Sequence, residues 1–329
     1  MSLRRRNLNV ISAAIICLLI YLTDSEAAYF KTTTLLGREY VNLADFARSK
    51  NLEYTFNFKS GEATLKSRWS NLLFTADSNK ATINGVNVWL SFPVARKGND
   101  FYISNLDILT AVEPILQPPR ASTSEKVLKV CLDPGHGGKD PGNIEGRHYE
   151  KDYTLMLSFE VKRQLEKEGF KVVMTRSSDR FVDLSERPQI ANRAGAHIFV
   201  SIHFNASDSK SVKGIETFCM TPENADSTNA RGGNSSKGRM TGNRNDTRNM
   251  YLAYCIQKSL SAVAQYDDRG VKRARFAVLK DCSIPAVLVE CGFMSSAEDM
   301  RKISDVAWRK QIARGIVEGI KNYQKQVSR

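Results

Sequence analysis

The sequence predicts an α/β fold in which a largely parallel sheet is covered by helices, preceded by a small α+β module. Three observations carry this reading. From residue 127 onward, near-continuous apolar strands alternate with amphipathic helices. A Pro/Ser-rich stretch from Gln117 to Ser124 separates that region from the short alternating strands before it. The chain has 329 residues, 42% hydrophobic and 25% charged, which suits two domains with ordinary cores. Those values exclude a disordered, collagen-like or coiled-coil chain, and six cysteines are too few for a disulfide-stapled scaffold. No apolar run reaches the ~18 residues of a spanning helix, which excludes a multi-pass membrane protein.

At the N-terminus, Arg4, Arg5 and Arg6 precede a 13-residue apolar stretch from Val10 to Leu22. Ser25 and Ala27 then offer small residues for cleavage after Ala27 or Ala28. Residues 1–28 therefore read as a secretory signal peptide, with an apolar stretch short for a bilayer. The expected location is exported, in the periplasm or cell envelope, with no membrane span in the mature chain. The net charge is +13, and removing the leader takes away only three arginines and two acids. An exported basic chain meets anionic lipid headgroups and acidic wall polymers first, so no nucleic-acid partner is expected. Five cysteines would remain (Cys131, Cys219, Cys255, Cys282 and Cys291), and burial as small hydrophobes is expected for most. One disulfide among them is left open.

Residues 29–116 form the first expected module, with residues 117–125 as linker and 126–329 as the second domain. The module carries an internal echo: residues 40–46 (Tyr-Val-Asn-Leu-Ala-Asp-Phe) against 102–108 (Tyr-Ile-Ser-Asn-Leu-Asp-Ile), with Gly37 and Gly98 shortly before. Strands are expected at 62–66, 71–75 and 86–90. This region loosely resembles the duplicated copper amine oxidase N-terminal-like domain, which implies a wall-associated role in adhesion or positioning. No metal is expected in it, because residues 29–120 contain neither His nor Cys.

In the second domain, buried strands are expected at 127–132, 171–175, 197–202 and 286–289. Helices are expected at 152–168, closed by Gly169, at 184–194, along Leu252, Ile256, Leu260 and Val263, and along Ile312, Ile316 and Ile320. Residues 222–249 read as a polar insertion, long for a loop and so either functional or without fixed structure.

Ligands of open α/β sheets bind beyond the carboxyl ends of the strands, so polar residues at those ends are the candidates for chemistry. The first strand runs into Asp133-Pro134-Gly135-His136-Gly137-Gly138, the third into His203-Phe204-Asn205-Ala206, and the late strand into Glu290-Cys291-Gly292-Phe293. Glu150 stands at the entrance of the first helix. A nucleotide cradle is a weaker reading, since Asp140 and Pro141 break the glycine pattern and no GKS or GKT occurs. Two histidines and a glutamate with one open position are a catalytic zinc arrangement, and a second glutamate can serve as base. Glu290, directly after an apolar strand, needs a metal, a cation or a raised pKa if buried. His148, two residues from Glu150, is a competing ligand candidate, whereas His197 begins a strand at the far end and is assigned to structure.

Together with Glu150-Lys151-Asp152, Thr175-Arg176-Ser177-Ser178-Asp179, Leu184-Ser185-Glu186-Arg187 and Ile190-Ala191-Asn192, these motifs resemble the zinc-dependent N-acetylmuramoyl-L-alanine amidases of the AmiA/AmiB/AmiC type. The likeness runs through residues 127–323. It implies a central mixed sheet of about six strands flanked by helices. It also implies cleavage of the amide between N-acetylmuramic acid and the L-alanine of the peptidoglycan stem; a zinc peptidase acting within the stem peptide and a non-catalytic peptidoglycan-binding protein are the alternative readings. His136, Glu150 and His203 would hold Zn²⁺, with Glu290 as the catalytic carboxylate. Arg275 follows the family pattern as a candidate substrate contact, and Asn205 is a second. The chain departs from the pattern at Ser295-Ser296, where relatives often carry Asn. Some relatives have an apolar plug in the region of 222–249 that a partner removes. Here Met240 is its only large apolar residue, so such plugging is not expected; a protein activator stays a candidate partner.

Overall fold

The computed structural model describes residues 30–120, 127–228, 238–264 and 266–328. The expected signal peptide, residues 121–125 of the linker and residues 229–237 of the insertion lie outside them. The N-terminal module opens with β1 (Thr32–Leu35), β2 (Arg38–Asn42) and α1 (Leu43–Ser49). A meander follows: β3 (Glu53–Asn57), β4 (Glu62–Lys66), β5 (Asn71–Thr75), β6 (Lys80–Ile83) and β7 (Val86–Trp89). β8 (Ala95–Lys97), β9 (Asp100–Ser104), α2 (Asn105–Asp107), a π turn and α3 (Glu113–Leu116) complete it.

The internal echo is a repeated strand–cap–helix unit. Asn42 Oδ1 accepts the N–H groups of Ala44 and Asp45 at the start of α1, and Ser104 Oγ accepts that of Asp107 in α2. The two strands pair antiparallel, Tyr40 opposite Ser104, within a four-stranded sheet ordered β1-β2-β9-β8. In β4 and β5 alternate residues (Ala63, Leu65, Leu72 and Phe74) are buried, as a half-covered strand requires.

The second part contains β10 (Lys129–Pro134), the hairpin β11 (Ile144–Glu145) and β12 (His148–Tyr149), and α4 (Glu150–Lys167). There follow β13 (Lys171–Met174), α5 (Glu186–Arg193), β14 (Ile198–Asn205), β15 (Ile215–Met220) and α6 (Asp246–Ala264). The chain finishes with β16 (Asp268–Ala274), α7 (Ala277–Lys280), β17 (Ala286–Phe293), α8 (Ala297–Ser304) and α9 (Val306–Val327). Six strands run in the order β13-β10-β14-β17-β15-β16, every neighbouring pair parallel except β15 with β17. This is the mixed, largely parallel sheet that the sequence predicts. α9 packs against both α4 and α6, and the α6–α9 approach is close enough that a Cβ on Gly319 would lie 2.5 Å from Ile256 Cα. Ala191 of α5 and Val278 and Leu279 of α7 cover Cys131, Phe199 and Leu288 of the sheet.

The sheet does not stop at β16. It continues through β7-β6-β5-β4-β3 to eleven strands, with Val271 of β16 paired to Val88 of β7. Side chains reinforce the seam: Asn87 donates through its backbone N–H to Asp268 Oδ2 and through Nδ2 to Asp268 O, both at 2.8 Å. Trp89 Nε1 donates to the Arg269 carbonyl at 2.9 Å.

β15 and β16 have no counterpart among the expected strands. β16 is charged along its length, yet Lys272 and Arg273 are buried because Lys272 pairs with Glu216 and Arg273 donates to the carbonyls of Met220 and Thr110. The five cysteines among the described residues are all buried and free, so no disulfide links them. His197 is structural, its Nδ1 accepting the N–H groups of Leu128 and Lys129. No helix among the described residues is long and apolar enough to cross a membrane.

Candidate active site

The site is built on the loop that leaves β10. Asp133, fully buried, ties four elements together by accepting from Thr175 Oγ1 at 2.6 Å, Ser201 Oγ at 2.7 Å and Arg187 Nη1 at 2.9 Å. Two buried arginines then grip the loop's carbonyls. Arg187 reaches Pro134 and His136, and Arg176 reaches Pro134, Gly135 and the Lys151 carbonyl at the start of α4. Held this way, His136 adopts φ +61°, a left-handed conformation that a non-glycine residue takes only under constraint.

The strand register and the start of α4 supply the other groups. His203 and Glu290 are register partners on the parallel pair β14 and β17. Glu150, the first residue of α4, is buried. Its Oε1 lies 2.9 Å from His203 Nδ1 and accepts the Phe204 N–H at 3.1 Å. Its Oε2 lies 3.1 Å from His136 Nε2 and accepts both the backbone N–H and Nδ2 of Asn143. One donor atom from each of His136, Glu150 and His203 falls within 4.8 Å of the other two. His136 Nδ1 faces Asp140 Oδ2 at 2.9 Å, a carboxylate behind the imidazole that orients the ring and leaves Nε2 toward the cluster.

Glycine provides the room. A Cβ on Gly135 would lie 2.2 Å from His203 Cε1, and one on Gly142 would lie 2.6 Å from His136 Cδ2 and 2.7 Å from Glu150 Oε2.

Electrostatics separate the two glutamates. Burial alone would raise Glu150, but hydrogen bonds from His136 and His203 outweigh it and hold the carboxyl below the usual range. Burial pushes Glu290 well above that range, the charges of Glu150 and Glu216 add to it, and Lys272 opposes them. Glu290 Oε2 is buried with no hydrogen-bond partner. Both glutamates and both histidines open onto one cavity of about 260 Å³, walled on its apolar side by Leu184, Phe276, Val278 and Leu288. Two imidazole nitrogens and a carboxylate oxygen so close together fit Zn²⁺, and the unpartnered Glu290 oxygen beside them fits a proton carrier.

The remaining candidates fall elsewhere. Arg275 does not line this cavity, although Phe276 and Val278 beside it do: its Nη2 donates to the carbonyls of Pro222 and Ala225. Asn205 lines a neighbouring cavity, and its Nδ2 donates to Glu216 Oε1 at 2.9 Å. His148 is exposed and pairs with the Tyr153 hydroxyl, outside the three-residue cluster. Sequence reasoning did not assign the loop-holding roles of Asp133, Arg176 and Arg187; the available signal was a polar residue at the end of an apolar strand for Asp133 and Arg176, and none for Arg187 within α5.

Two histidines, a carboxylate and an adjoining buried carboxylate are the donor chemistry of a hydrolytic metal centre on an α/β sheet. A family profile described as N-acetylmuramoyl-L-alanine amidase matches residues 130–322, more than half of the chain, and the chain belongs to that family. It is 32% identical over 230 residues to the amidase AmiC of Escherichia coli O6:H1, covering 63% of this chain and 55% of that protein. It is 32% identical over 229 residues to AmiA of Escherichia coli K12, covering 62% of this chain and 79% of that protein. The chain thus spans only about half the length of AmiC. Among solved structures it is similar to the CwlD amidase of Clostridioides difficile, solved in complex with the GerS lipoprotein. That match has a TM-score of 0.51 and 29% identity, over 61% of this chain and 99% of that one.

Proposed function

We propose that the chain is an exported peptidoglycan hydrolase that cleaves the amide between N-acetylmuramic acid and L-alanine. His136, Glu150 and His203 would hold Zn²⁺, and Glu290 would carry the proton. The observation that carries this reading is the meeting of three ligand-type atoms within 4.8 Å beside a buried, unpartnered carboxylate oxygen. Family membership supports the choice of bond.

When bound, zinc supplies a Lewis acid and an acidified water. The chain's own residues do the rest. Asp140 fixes the His136 ring, and the Asn143 and Phe204 N–H groups fix the Glu150 carboxylate. Glu290, its buried Oε2 left without a hydrogen-bond partner, takes a proton from the attacking water and returns it to the leaving nitrogen of L-alanine. Leu184, Phe276 and Val278 give the cavity an apolar wall.

In this reading residues 1–28 direct export to the periplasm or cell envelope, and residues 29–116 position the enzyme on the wall. A protein partner is a further element of the proposal, supported by the CwlD relative solved with GerS. The test is product analysis of purified sacculi digested with zinc and with a chelator. Metal-dependent release of intact stem peptides with a free L-alanine amino terminus is expected. Release of shorter peptides, or of none, would overturn the assigned bond.

A further inference from the structure

We propose that Arg269 is a carboxylate-binding, specificity-determining residue, receiving a carboxylate of the stem peptide in a cavity beside the metal pocket. The proposal rests on the amidase reading above. The cavity, about 640 Å³, is bounded by Asn205, Glu216, Arg269, Lys272 and Phe293 among others. The sheet itself makes it a neighbour of the catalytic carboxylate. Glu216 is the register partner of Glu290 across β15 and β17, and Asn205 is that of Phe293 across β14 and β17. Antiparallel register partners sit ~4.5–5.5 Å apart at Cα, so the cavity begins about one side chain from Glu290. A peptide whose first amide lies at Glu290 reaches it within a residue or two.

Three contacts fix Arg269. Its Nε donates to Glu216 Oε2 at 2.7 Å, its guanidinium carbon stands 4.9 Å from the centroid of the Phe293 ring, and its carbonyl accepts from Trp89 Nε1. Its two terminal nitrogens make no hydrogen bond among the described residues, and the side chain is 32% exposed. The contrast with the other arginines of this region decides its role. Arg176, Arg187 and Arg273 spend their terminal nitrogens on protein acceptors, as structural arginines do.

Charge favours an anion at this wall. Glu216 is shared: Lys272 Nζ lies 2.6 Å from the same oxygen that Arg269 holds, and Asn205 occupies the other. One buried carboxylate thus faces two cations at this wall. Asp208, the cavity's other acid, is exposed and screened by solvent. A guanidinium held by Nε and by stacking, with its terminal edge free, presents paired donors at the spacing of a carboxylate. Stem peptides carry free carboxylates beyond the scissile amide, on the leaving-group side.

The test uses the zinc-loaded full chain and two muramoyl-dipeptides that differ only in a free carboxylate or a carboxamide on the second residue. The wild type is expected to prefer the carboxylate roughly 10- to 100-fold in kcat/KM, expressed in KM. Arg269→Gln should erase that preference with kcat nearly unchanged, and Arg269→Lys should restore part of it. Lys272 still neutralises Glu216 in both variants, and thermal melting checks the fold. Equal KM for the two substrates on the wild type, or a preference that survives Arg269→Gln, would overturn the proposal. Calorimetry with the free dipeptides reads the site without turnover. Carboxylate-selective binding lost in Arg269→Gln supports it, and binding indifferent to the substitution overturns it. Selective binding by a wild type that releases no stem peptide would sink the amidase reading while leaving the carboxylate site standing.

Discussion

Gly135 and His203 are in steric register: the ring of one occupies the volume where a side chain on the other would begin. A Cβ on Gly135 would come within 2.2 to 2.6 Å of three ring atoms of His203. Gly135 is absent from the residues with positive φ, so glycine is needed here for space and not for backbone freedom.

Gly135→Ala should therefore displace the His203 ring and leave the β10 backbone in place. About 10- to 100-fold weaker zinc binding is expected, with a fold still intact by circular dichroism. Metal content after dialysis against graded chelator concentrations measures it, and undiminished zinc retention would contradict the steric argument.

Glu290→Gln keeps the shape of the carboxyl group and removes its proton chemistry. Turnover should fall by about 10²–10⁴-fold while zinc stoichiometry and sacculus binding persist. Parallel assays of product release and bound metal separate the two effects, and near-normal hydrolysis would remove Glu290 from its assigned role.

Arg187→Met leaves Asp133 buried without its cation, 2.9 Å from where the guanidinium stood. Breaking a buried pair from one side costs about 3–5 kcal/mol, and this loss should appear as a lower denaturant midpoint. The double variant with Asp133→Asn should recover part of it, because the uncompensated charge is gone.

Stability should also depend on Asp246. Burial pushes its carboxyl up to about 6 from 3.8, against the opposing influence of Arg273 and Asn243. A folded-state pKa above the unfolded one means the penalty is absent below about pH 4, develops as pH rises, and is complete above about pH 6. Asp246→Asn removes it, so the variant should gain about 2–3 kcal/mol on the wild type between pH 4 and pH 7. Denaturant unfolding across that range measures the difference, and a gap independent of pH would refute the assignment.

The cluster of His136, Glu150 and His203, with Glu290 beside it, was legible because each residue interrupts an obvious apolar pattern at a strand end or helix start. Glu150 is the first residue of α4, where a carboxylate meets the positive end of the helix dipole, so its position carries a local physical signal. β16 was not legible, since Asp268, Arg269, Lys272 and Arg273 break any apolar strand pattern, and their burial depends on Glu216 and the Thr110 carbonyl, distant in sequence. Arg275 illustrates the converse. It was a candidate because it follows the family pattern, and in the structure its Nη2 donates to the carbonyls of Pro222 and Ala225, distant in sequence.

The seam between Val88 and Val271 has a consequence for self-association. Each half would otherwise present an open row of backbone donors and acceptors along β7 or β16, the kind of edge on which foreign strands polymerise. Joined, they conceal each other, and the open borders of the eleven-stranded ribbon are β13 and β3, at its two extremes. Substitutions that loosen Asn87 or Trp89 should therefore show themselves first as poor colloidal behaviour, before any change around His136, Glu150 and His203.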